Sequence, residues 1–73
     1  MMYMEAKDMT IEPEIKIELK QRKLTQLKQR YFSLQMDLES LRAVGNIEGV
    51  ETIVLRMENV QKAYDAVEAM STE

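Results

Sequence analysis

Apolar residues recur at alternating steps of three and four from Ile17 to Leu41, and again from Val50 to Val67. This is the heptad period, which turns one stripe of an α-helix toward a neighbouring helix. In the first run the a positions are Ile17, Leu24, Tyr31 and Leu38. The d positions are Lys20, Leu27, Leu34 and Leu41, so Lys20 alone breaks the stripe, at its outer end. In the second run Val50, Met57, Tyr64 and Ser71 take a, and Ile53, Val60 and Val67 take d. Here the break is Ser71, again at the outer end.

Between the runs stands Gly45-Asn46. A glycine past the last periodic residue suits a left-handed C-cap, and asparagine is among the best N-caps for a following helix. Pro13 fits the first turn of the first helix, where its missing N–H costs nothing. Glu12, Glu14 and Glu18 near one helix start, and Glu48 and Glu51 near the other, complement the positive end of each helix dipole. The expected organisation is a flexible tail over 1–12, a helix over 13–44, a turn over 45–49, a helix over 50–70 and a short tail over 71–73. Met1, Met2, Met4 and Met9 fall in the first tail, which shows little pattern. One segment has a competing reading. Ile15, Ile17 and Leu19 alternate with Lys16 and Glu18, a period that also suits an edge strand over 14–20.

Two heptad helices joined by a short turn fold back antiparallel. The fold class is therefore all-α, a coiled-coil-like hairpin. Its expected layers pair Leu41 with Val50, Leu38 with Ile53, Leu34 with Met57, Tyr31 with Val60, Leu27 with Tyr64 and Leu24 with Val67. Charge favours the same register. Lys16, Lys20, Arg22, Lys23, Lys28 and Arg30, opposed only by Glu18, lie across from Glu58, Asp65, Glu68 and Glu73, opposed only by Lys62. Asp37 is expected across from Arg56. Exposed pairs of this kind contribute only ~0–1 kcal/mol each, so they select a register more than they stabilise it.

Composition narrows the chemistry. The chain has 73 residues with neither Cys nor His. Disulfides, thiolate metal sites, a cysteine nucleophile and an imidazole base are all excluded. Ser33, Ser40 and Ser71 have no imidazole to activate them. There is no glycine-rich phosphate cradle. No catalytic residue, cofactor or metal is expected. Nor is a membrane span or a signal segment, which makes the cytoplasm the expected compartment.

What remains is a surplus of apolar surface. Val54, Ala63 and Met70 flank the second seam, Ala66 lies further round, and Phe32 lies outside the first seam. Val54, Ala63, Ala66 and Met70 read as one broad stripe, wider than a single seam needs. The first helix also outruns the second, leaving Ile15, Ile17 and Leu19 uncovered. The expected function is protein–protein interaction without enzymatic activity. The partner is a second copy, giving a homodimeric four-helix bundle or a higher oligomer, or one protein target. A small adaptor or inhibitor of the kind that phages and mobile elements encode has the same features. The competing class is a nucleic-acid-binding hairpin using Lys16, Lys20, Lys23, Lys28 and Arg30.

Overall fold

A computed structural model describes residues 12–72. All but Glu12 of the tail expected over 1–12 lies outside the described residues. The molecule has two helices, α1 over Pro13–Ala43 and α2 over Ile47–Glu68, packed against each other. Among the described residues there is no strand, so 14–20 is helical throughout. The strand-like alternation of Ile15, Ile17 and Leu19 yields because the segment is the first two turns of an uninterrupted helix of 31 residues. Propagating a formed helix adds one hydrogen bond for each residue ordered, whereas an edge strand here has no sheet to join.

The turn is closed by its own backbone. Gly45 adopts φ 72°, the left-handed conformation that L side chains resist. This lets the Asn46 N–H reach the Leu41 carbonyl at 3.0 Å and the Gly45 N–H reach the Arg42 carbonyl at 3.1 Å. Those two bonds form a Schellman motif, satisfying carbonyls that α1 would otherwise leave open. Asn46 then caps α2. Its side-chain oxygen accepts from the Gly49 N–H at 2.9 Å. The cap sets the start of α2 at Ile47, three residues ahead of the boundary expected from the heptad. The extra residues, Ile47 to Gly49, belong to the first turn, where Ile47 falls outside the seam positions and so adds nothing to the heptad signal. At the other end α2 stops at Glu68, short of residue 70, and Ala69 is its C-cap.

The core is a single file of side chains. Leu24, Leu27, Leu34, Leu38, Ile53 and Val60 are buried, with Leu27 the most enclosed at 2% exposure. Tyr31, Leu41, Val50, Met57, Tyr64 and Val67 are half-buried against the cluster formed by Leu27, Leu34, Leu38, Ile53 and Val60. Burial of such a side chain contributes roughly 1.5–3 kcal/mol relative to leaving it in water. Six of them is a small core for a free-standing domain, at a size where chains often lean on a partner. The molecule measures 58 × 24 × 15 Å, so it is one layer of helix thick and each core residue has water within one side chain's reach.

Candidate interaction surface

Lys20 marks the end of the seam, and the structure assigns it a role. Its ammonium donates to the backbone carbonyls of Glu68 at 2.7 Å and Met70 at 2.8 Å. Glu68 is the last residue of α2 and Met70 lies just past its C-cap, and the last turn of α2 has no basic residue of its own. A cation from α1 therefore sits at the negative end of the α2 dipole. The lysine that interrupts the heptad is the residue that caps the other helix.

Charge pairing between the helices is otherwise absent among the described residues. The two ion pairs lie within α1, Glu18–Arg22 at 3.8 Å and Glu39–Arg42 at 3.4 Å, all four side chains well exposed. The expected pairing of Asp37 with Arg56 does not form. An exposed pair gains little over solvation and must order two flexible side chains. Across the seam, the Lys28 ammonium lies 5.8 Å from the centre of the Tyr64 ring, within cation–π range.

The five basic residues considered for nucleic acid are thus divided. Lys20 is held by main-chain carbonyls, and Lys28 lies over Tyr64. Lys16, Lys23 and Arg30 recur at steps of seven and share the opposite flank of α1 from Lys28. The structure does not bring the five together as one patch.

The apolar surplus is divided as well. At about 100° per residue, Val54 and Ala63 point in opposite directions from the α2 axis. Ala63, Ala66 and Met70 follow one another at three and four residues and share a flank. Val54 lies across the seam from them, so the single broad stripe expected over 54–70 becomes two separate flanks. A sequence window counts apolar residues on both shoulders of a seam as one stripe, although the facing helix stands between them.

On the Val54 side a groove of about 360 Å³ opens between the helices where Tyr31, Phe32 and Tyr64 reach the surface beside Gln35 and Gln61. It continues past Phe32 and Met36 toward Arg42 and Met57. Phe32 is 60% exposed, and Met36 is exposed beside it. On the opposite side, Leu19 of α1 and Met70 of α2 line one smaller groove together with Lys23 and Val67. The overhang is bare: Ile15 is 43%, Ile17 49% and Leu19 42% exposed. Ile17 holds an a position, but α2 has ended before it can be covered. Val44 and Ile47, at the turn, are exposed too and were not among the residues expected at an interface. Both lie outside the periodic runs, so no pattern flagged them.

Among the described residues no group of three or more acidic side chains is placed to hold a metal ion. No helix of the described residues is long and apolar enough to cross a membrane. Comparison with known protein families, with curated proteins and with solved structures finds no match.

Proposed function

We propose that this chain is a non-enzymatic interaction module: a helical hairpin that associates with copies of itself, as a four-helix bundle or a larger assembly. The observation that carries the reading is the overhang. Ile15, Ile17 and Leu19 lie on a well-formed helix beyond the end of α2, each more than two-fifths exposed. Covering such side chains releases about 25 cal/mol for each square ångström of apolar surface taken from water. The thin core supports the same reading, because a chain with so few buried side chains commonly leans on a partner for stability.

The test is the solution mass by light scattering coupled to size exclusion, over a range of concentrations. A mass of two or more chains supports self-association. The variant Ile15→Glu with Leu19→Glu should then lower that mass while the far-ultraviolet dichroism stays helical. A folded monomer at every concentration removes self-association and leaves the second version, in which the chain uses the same surface to bind one different protein as a small adaptor or inhibitor.

A further inference from the structure

Outside its seam, α1 carries a second periodic stripe. Ile15, Glu18, Arg22, Thr25, Gln29, Phe32, Met36, Glu39 and Ala43 recur at alternating steps of three and four, and every one is exposed. Such spacing places them along a single line on the helix surface, as a seam requires. Five of its nine positions are polar, and unlike the hairpin seam it is complementary to itself when reversed.

We propose that a second copy docks on this line, α1 against α1 and antiparallel, with the two-fold axis passing near residues 30–31. The proposal rests on the self-association reading and gives it one pairwise contact, on the face of α1 turned away from α2. Laid this way, Gln29 meets the copy's Phe32 and Thr25 meets the copy's Met36, so each large apolar side chain at the centre packs against a polar neighbour. One layer further out Arg22 meets the copy's Glu39. Beside it Glu18 comes next to the copy's Arg42. Each contact occurs twice, as a two-fold interface demands.

Three observations favour this occupant and this direction. First, the charges match. The intrahelical pairs Glu18–Arg22 and Glu39–Arg42 have the same order of sign along the helix, so reversal sets acid against base at both ends. The four side chains become one alternating network, the arrangement in which exposed charges contribute most. A parallel alignment would instead set Glu18 on Glu18 and Arg22 on Arg22, which is repulsive. Second, Phe32 and Met36, the large apolar side chains on this face of α1, fall close to the axis, where two copies bring four of them together. Third, the two bare ends answer each other. The overhang of one copy, beginning at Ile15, arrives at the turn of the other, where Val44 and Ile47 are exposed.

The chain has no native cysteine, so introduced thiols report without background. Thr25→Cys and Met36→Cys proteins are prepared separately, mixed and oxidised, after the masses of wild type and both variants are measured by light scattering. The expected product is the mixed 25–36 disulfide, with little of either like-with-like disulfide. In addition, Arg22→Glu should raise the dimer dissociation constant by about tenfold, and Glu39→Arg in the same chain should restore it. A wild-type chain that stays monomeric overturns the self-association reading and this geometry with it. A stable dimer that gives the 25–25 disulfide, or all three disulfides equally, overturns the geometry alone. Failure of the double charge reversal to recover affinity in a stable dimer likewise overturns the geometry alone.

Discussion

The ammonium of Lys20 donates to the carbonyl of Met70 at 2.8 Å, joining two residues 50 positions apart across the open end of the hairpin. The same ammonium also takes the Glu68 carbonyl. Lys20→Met keeps most of the aliphatic stem and removes the cap. We expect a loss of about 1 kcal/mol, below the usual figure for a charged hydrogen bond because the site is exposed. That corresponds to roughly 4–8 °C in melting temperature for a chain of this size. Thermal unfolding followed by circular dichroism measures it. A gain in stability would show that burying the methionine outweighs the cap.

Asn46 closes the first turn of α2 through the Gly49 N–H. Asn46→Ala should cost about 1 kcal/mol, the usual effect of losing an N-cap. Gly45→Ala, at φ 72°, should cost a similar amount, since alanine carries a left-handed penalty of roughly 1–2 kcal/mol there. Urea unfolding of the two variants should show lowered midpoints with unchanged slopes.

Gly49 offers a sharper test of the turn. In a helix, replacing glycine by alanine commonly gains about 1 kcal/mol. Here a Cβ would stand 3.0 Å from Cγ and Nδ2 of Asn46 and 3.1 Å from a methyl of Leu41. Leu41 can yield, but Asn46 is held in place by its cap bond. We expect Gly49→Ala to bring no gain in the native background and a clear gain in the Asn46→Ala background. The coupling is read from a double-mutant cycle in urea. Additive effects would contradict the crowding argument.

Leu27 and Phe32 separate folding from association. Leu27 is the most enclosed side chain, so Leu27→Ala should cost about 2–5 kcal/mol and leave much of the chain unfolded at room temperature. Phe32 is mostly in water within a single hairpin. Phe32→Ala should leave the helicity at high dilution unchanged and reduce the mass seen by light scattering. Helical signal and mass falling together in Phe32→Ala would mean that the hairpin does not fold without its copy.

Two helices, the turn at Gly45-Asn46 and the stripe along which the helices meet were all legible in the sequence. The physical reason is locality. Heptad spacing, a glycine free to take positive φ and an asparagine cap each act within a few residues, so they can be read along the chain. Only the tertiary structure decided what Lys20 does, because its partners are main-chain carbonyls that no residue pattern records. It decided too that Asp37 and Arg56 stay apart, since exposed charges gain too little from pairing for facing positions to dictate contact. The placing of Val54 on one flank and Ala63 and Met70 on the other also needed the second helix in position. A linear pattern says how much apolar surface a helix carries; the neighbour that covers its middle determines how the remainder is divided.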